Sequence, residues 1–145
     1  MFNFFKKKNT SADIPFLLPF TTDIHSHILP GIDDGSPDIE ASLQLVRGIY
    51  NLGIRNSIAT PHVIADLYRN TPATINNALQ HLIVACKEAN IPIELAAAAE
   101  YMLDDYFLKL LRNQEEILTI YKNIVLTEQS FISPTSNLNE ISFEL

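Results

Sequence analysis

The alternation of short apolar strands with amphipathic helices is the feature that most limits how this chain can fold. Residues 22–25 predict a strand, and apolar residues in segment 39–52 follow it at helical spacing. The pattern repeats, with strands predicted at 57–60, 93–98 and 123–127 and helices that begin near residues 71, 104 and 137. Strands that alternate with helices imply parallel pairing, so the sequence predicts an α/β fold of about four strand–helix units.

Local signals predict where the helices begin and which sides they bury. Ser36 before Pro37 predicts the N-cap of the first helix, and Gly53 predicts its end. Asn137, with Glu140 three residues later, predicts a capping box for the fourth helix. The predicted apolar face of the first helix comprises Ile39, Leu43, Leu45, Val46, Ile49, Tyr50 and Leu52. The later helices are predicted to bury Ile75, Leu79, Leu82, Ile83 and Cys86, and then Phe107, Leu110 and Leu111.

The composition is that of an acidic globular protein. The 145 residues suffice for one domain with a core, and 47% of them are hydrophobic against 19% charged. A formal net charge of -7 argues against nucleic acid as the main partner, because a phosphate backbone requires a basic surface. An acidic protein that handles phosphates needs a local positive charge, which bound metal ions would supply.

The first 20 residues are predicted to form a loosely held arm ahead of a domain that covers residues 21–145. Three lysines follow the apolar start, which is the wrong order for a secretory signal, and no apolar run reaches the ~18 residues of a membrane helix. Phe2, Phe4, Phe5 and Lys6 to Lys8 leave open a weak membrane-surface role. The single cysteine, Cys86, excludes an internal disulfide and fits a reducing compartment, so we expect a cytoplasmic protein.

Residues that can bind a metal follow each of the four predicted strands. In chain order they are His25 and His27, then His62, Glu100 and Glu128. Each signal is weak alone, since two histidines can simply be solvated and Asp33-Asp34 between glycines can simply form a turn. In a parallel α/β fold, however, the carboxyl ends of the strands lie on one face, so the joint pattern predicts a convergent metal site.

These motifs resemble the first metal-binding motifs of the PHP (polymerase and histidinol phosphatase) superfamily. The matching residues are His25-Ser26-His27, Asp33-Asp34-Gly35, Thr60-Pro61-His62, Ala99-Glu100 and Glu128. Two longer strings, residues 23–35 and 98–102, resemble the capsule and exopolysaccharide tyrosine-protein phosphatases in particular. The similarity runs from about Phe20 to the last residue.

The resemblance implies a distorted (β/α) barrel that holds up to three divalent metals, with Mn²⁺ expected and Zn²⁺ or Fe²⁺ as alternatives. It implies the metal ligands His25, His27, Asp34, His62, Glu100 and Glu128. Asp33 is a weaker candidate than Asp34, and Glu100 is expected to bridge two metals. The implied reaction is hydrolysis of phosphotyrosine on a bacterial tyrosine kinase that controls capsular or exopolysaccharide synthesis, by attack of a metal-activated water. No side chain is assigned as a nucleophile, because the attacking group is the metal-bound water. Cys86 is not a candidate, because it lies in the apolar stripe of a helix.

The family also has later motifs, a His-Pro-Glu-Arg-like segment and an Asp-x-His, that these residues do not contain. His81 is predicted to be solvated, and Arg69 is a candidate phosphate contact whose alternative is a plain surface arginine. Other functional interpretations therefore stay open: a phosphatase for another monoester such as histidinol phosphate, or a truncated non-catalytic fragment that binds metal weakly. Half a barrel would leave strand edges and apolar faces unpaired, so we also expect self-association.

Overall fold

The computed structural model describes residues 17–130 and 136–145, which form six short strands and four helices in an α/β arrangement. In chain order these are β1 (Thr22–Ser26), α1 (Ile39–Asn51), β2 (Asn56–Ala59), β3 (His62–Val63), α2 (Pro72–Glu88), β4 (Glu94–Ala97), β5 (Glu100–Met102), α3 (Asp105–Arg112), β6 (Leu126–Glu128) and α4 (Leu138–Glu144). Every pairing between these strands is parallel, which confirms the prediction from the strand–helix alternation.

The strands form two three-stranded sheets, ordered β1-β2-β4 and β3-β5-β6. The sequence predicted four strands and missed β3 and β5, which lie just beyond the second and third predicted strands. Thr60-Pro61 separates β2 from β3, because proline has no N–H to donate to a ladder. Ala98-Ala99 separates β4 from β5, although the Glu100 N–H donates to the Pro61 carbonyl at 3.0 Å. The sheets do not close within the described residues, so the parallel α/β class is confirmed and the barrel stays a prediction.

Helix α2 is formed as the sequence predicts. Thr71 is its N-cap, and the Thr71 side chain accepts from the Thr74 N–H while Thr74 completes a capping box. Its predicted stripe is buried apart from Ile83, which is half-buried; the buried members are Ile75, Leu79, Leu82 and Cys86. These side chains join a single core with residues of the strands and of α3.

Helix α1 departs from the prediction at its start and along one side. Asp38, not Ser36, is the N-cap, and its carboxylate accepts from the Ala41 N–H at 2.9 Å. Ser36 is fully buried instead, and its hydroxyl accepts a hydrogen bond from Ser42 Oγ at 2.8 Å. Leu45 and Leu52 were predicted to belong to the apolar face but are 47% and 40% exposed. Ile39 of that face is also exposed.

The predicted capping box of α4 is wrong. Asn137 is the N-cap residue, but its side chain makes no capping bond and its amide donates to Asp105 instead. Glu140 is likewise used elsewhere, since it pairs with Arg112 of α3. Both polar side chains therefore join α4 to α3 rather than closing the first turn of α4.

The chain start is mostly outside the described residues. The predicted arm at 1–20 and the membrane-surface role of Phe2 to Lys8 therefore stay predictions. Among the helices that the structure describes, none combines the length and apolar character needed to cross a membrane.

Candidate metal centre

The predicted metal ligands meet where the strands end or begin at one edge of the fold. His25 lies in β1, His27 directly follows it, His62 opens β3, Glu100 opens β5 and Glu128 closes β6. His62 and Glu100 are register partners on neighbouring strands, and Met102 is the partner of Glu128. The parallel topology thus brings together side chains that are far apart in the sequence.

Glu100 is the centre of this cluster. Its Oε2 atom lies 3.2 Å from His25 Nε2, 3.3 Å from His27 Nε2 and 3.4 Å from His62 Nδ1. The Glu100 side chain is only 8% exposed. Three imidazole nitrogens from two segments, the end of β1 and the start of β3, therefore surround one nearly buried carboxylate oxygen, which is an arrangement typical of the ligands of a metal ion.

Two buried atoms at this edge lack a hydrogen-bond partner. His62 Nδ1 and Glu128 Oε1 are 3.0 Å apart, yet neither makes a hydrogen bond within the described residues. Leaving a buried polar atom unpaired costs about 1–3 kcal/mol, so such atoms are rare without a reason. A divalent cation bound by both atoms would satisfy them, and the residues present fit such an ion.

The potential ligand atoms form three overlapping groups. Within each group the atoms lie within 4.8 Å of one another; the groups are His25, His27 and Glu100; His27, Asp34 and His62; and His62, Glu100 and Glu128. Imidazole nitrogen and carboxylate oxygen are donors that suit manganese, zinc and iron. The geometry therefore fits a divalent metal centre, while the ligand role of each residue stays a prediction.

The two aspartates of the Gly-Ile-Asp-Asp-Gly loop have different surroundings. The Asp34 side chain is 61% exposed, and its Oδ1 atom lies 3.4 Å from His62 Nε2. The side chain of Asp33, by contrast, is fully buried. Gly35 allows the loop to lie against His27, because a Cβ at this position would be 2.3 Å from the His27 carbonyl oxygen. The loop thus presents one aspartate to the metal groups and places the other beneath them.

Sequence reasoning missed two residues that contact His62. Asn70 is buried, and its Nδ2 donates to the His62 carbonyl at 2.9 Å and to the Ile32 carbonyl at 2.8 Å. The Tyr68 ring stacks on the His62 ring, with centroids 5.9 Å apart and planes at 15°. No local motif marks either residue, since their partners come from other loops and strands.

Three further residues that the sequence analysis considered, Arg69, His81 and Cys86, do not belong to the three ligand groups. Arg69 is exposed, donates to the Ala65 carbonyl and lies 3.7 Å from Asp66, so its contact with phosphate stays a prediction. His81 is exposed on α2, as predicted. Cys86 is a free thiol whose pKa is raised mainly by burial, which disfavours the reactive thiolate.

Comparison with known proteins gives consistent matches over most of the chain. The family model described as "Capsular polysaccharide synthesis, CpsB/CapC" matches residues 21–143. The tyrosine-protein phosphatase YwqE of Bacillus subtilis (strain 168) is 38% identical over 78 residues, which cover 54% of this chain and 31% of YwqE. The putative tyrosine-protein phosphatase CapC of Staphylococcus aureus is 26% identical over 93 residues, which cover 64% of this chain and 36% of CapC.

A solved structure is also similar. It is one of the crystal structures of YwqE from Bacillus subtilis and CpsB from Streptococcus pneumoniae, which are called "unique metal-dependent tyrosine phosphatases". It matches with a TM-score of 0.69 and 31% identity, over 77% of this chain and 45% of that chain. The matched part of this chain spans about a third of the length of YwqE and of CapC, the two curated relatives named above.

Proposed function

We propose that this chain, which belongs to the CpsB/CapC family of capsular polysaccharide synthesis proteins, is part of a metal-dependent protein-tyrosine phosphatase. The observation that carries the proposal is the cluster of His25, His27 and His62 around the buried Glu100 carboxylate. The similar proteins are tyrosine-protein phosphatases, and the solved ones are metal-dependent. Because this chain spans only part of their length, their activity is proposed for it rather than transferred.

Six metal ligands are proposed, five at the ends or starts of strands and one in the loop after β1: His25, His27, Asp34, His62, Glu100 and Glu128. Divalent ions bound there would supply Lewis acidity, which lowers the pKa of a coordinated water and offsets charge on a phosphoryl group. Glu100, His27 and His62 each belong to two of the three ligand groups, and a bridging role suits Glu100 because only its carboxylate has two oxygens that can bind separate ions. We infer Mn²⁺ from the family resemblance, and Zn²⁺ or Fe²⁺ are alternatives because all three accept nitrogen and oxygen donors.

The chain's own residues leave one side of the site open. His25 is half-exposed and Asp34 is mostly exposed, whereas Glu100 is buried behind them. A phosphate group would therefore approach past His25 and Asp34. With a net charge of -7, the chain as a whole repels an anionic substrate, so its binding depends on local positive charge. Arg69 is a further candidate source of that charge.

The proposed substrate is phosphotyrosine on the tail of a bacterial tyrosine kinase that controls capsule or exopolysaccharide synthesis. The family description and the names of the relatives support this substrate. We infer that the strands form part of a distorted (β/α) barrel, as their parallel pairing and the structural likeness favour. A cytoplasmic location is proposed, with which the free, buried Cys86 is consistent.

The test is release of phosphate from a phosphotyrosyl peptide and from histidinol phosphate, each with Mn²⁺ and with a chelator. We expect metal-dependent turnover with a clear preference for the peptide. A preference for histidinol phosphate would refute the proposed substrate. Metal binding without turnover of either compound would instead favour the second interpretation, a non-catalytic metal-binding fragment.

A further inference from the structure

We propose that Asp33 is a positioning residue that holds two of the metal ligands in place, an inference that rests on the proposed metal centre. The Asp33 side chain is fully buried. Its Oδ2 atom accepts from His27 Nδ1 at 2.8 Å and from the His62 backbone N–H at 3.1 Å, and its Oδ1 atom accepts from the Gly35 N–H at 3.0 Å. Three donors thus share one carboxylate that does not itself belong to any of the three ligand groups.

The contact with His27 selects one tautomer of that imidazole. A carboxylate accepts hydrogen bonds, so Nδ1 carries the proton and the free lone pair is on Nε2. Nε2 is the atom that lies 3.3 Å from Glu100 Oε2, inside the ligand cluster. A histidine that donates its second ring N–H to a carboxylate is also held in orientation and made a better ligand. Asp33 therefore presents the correct nitrogen of His27 to the site.

The contact with His62 joins two strands. One oxygen of Asp33 bonds both the His27 ring, just after β1, and the backbone of His62, where β3 begins. The two imidazole rings are held with their centroids 4.5 Å apart. The adjacent Asp34 is mostly exposed and, among the residues that the structure describes, has no comparable set of bonds, so the two aspartates of one loop have separate tasks.

The experiment uses the 145-residue chain with Asp33→Asn, which keeps the size of the side chain but replaces one acceptor oxygen by a donor. Mn²⁺ affinity is measured by titration calorimetry, and ¹⁵N NMR of the metal-free chain at pH 8 reports which nitrogen of His27 is protonated. We expect Mn²⁺ binding to weaken about 10–100-fold. We also expect the His27 proton to be on Nδ1 in the wild type and to shift in part to Nε2 in the variant. Asp66→Asn is the matched control, since Asp66 is 92% exposed and its one ion pair within the described residues is with Arg69.

A purely structural role would lower thermal stability without moving the His27 proton. An Asp33→Asn variant with unchanged Mn²⁺ affinity would overturn the proposal. So would a wild-type His27 protonated on Nε2, a result that needs no variant and therefore holds even if Asp33→Asn fails to fold. If the wild type binds no Mn²⁺ but its His27 proton depends on Asp33, the proposed metal centre fails while the positioning role of Asp33 stands.

Discussion

The buried stripe of α2 and the polar edge at the strand ends differ in how their buried atoms are satisfied. Leu82 and Ile75 are almost inaccessible and pack against other apolar side chains of the core. At the polar edge, His62 Nδ1 and Glu128 Oε1 are buried without a hydrogen-bond partner among the described residues. The apolar packing of the first region accounts for its burial, whereas the unpaired atoms of the second fit the metal centre proposed above. The two should therefore respond separately to substitution.

Leu82→Ala should have the largest effect, and only on stability. Removing a fully buried leucine side chain leaves a cavity and costs about 2–5 kcal/mol of the free energy of unfolding. Urea unfolding of the metal-free chain measures this loss. The exposed neighbour His81→Ala is the control and should change stability by less than ~0.5 kcal/mol. A fall in the Mn²⁺ affinity of folded Leu82→Ala would show that the two regions are coupled.

Glu100→Gln should produce the opposite pattern. Glu100 contacts all three clustered histidines, so we expect its substitution to weaken Mn²⁺ binding at least about 100-fold. Loss of a residue that only supports a metal ligand typically weakens binding about 10–100-fold, and loss of a ligand should do no less. Calorimetric titration measures the affinity, and circular dichroism checks that the variant is folded. Glu94→Gln is the control, because Glu94 is an exposed glutamate at the start of β4, in the other sheet. Retained affinity would remove Glu100 from the site.

The sequence predicted those structural features that depend on neighbouring residues or on strand topology alone. The start of α2 was predicted because Thr71 and Pro72 act on their own turn. The convergence of the strand ends was predicted because parallel pairing places them on one edge whatever the detailed packing. Both signals lie within a few residues or follow from topology alone.

The wrong or missing predictions involve contacts between residues that local sequence patterns do not connect. Ser36 does not cap α1 because Ser42 and the buried interior offer its hydroxyl another partner. Glu140 does not complete a capping box because Arg112 on α3 pairs with it. The bonds of Asp33 to His62 and of Asn70 to Ile32 span 29 and 38 residues, so no local pattern revealed them.

A third region, the exposed side of α1, should give the smallest effect. Leu45 lines an open groove of ≈ 510 Å³ with Leu18 and Phe20, beside His25 and His27. Leu45→Ser should change the free energy of unfolding by less than ~0.5 kcal/mol but weaken self-association, since less apolar surface remains exposed. Light scattering at micromolar concentration measures the association, with Val84→Ser on α2 as the control, because Val84 is similarly exposed. A wild-type chain that is a clean monomer would contradict the expected self-association.

The most direct test of the metal centre is the metal content of the purified chain after incubation with Mn²⁺ and removal of free ions. The wild type is compared with the double variant His25→Ala, His27→Ala, both checked for folding by circular dichroism. We predict that the wild type retains Mn²⁺ in proportion to protein and that the folded double variant loses most of it. Equal metal content in both, or none in the wild type, would contradict the assignment of these strand ends as a metal centre.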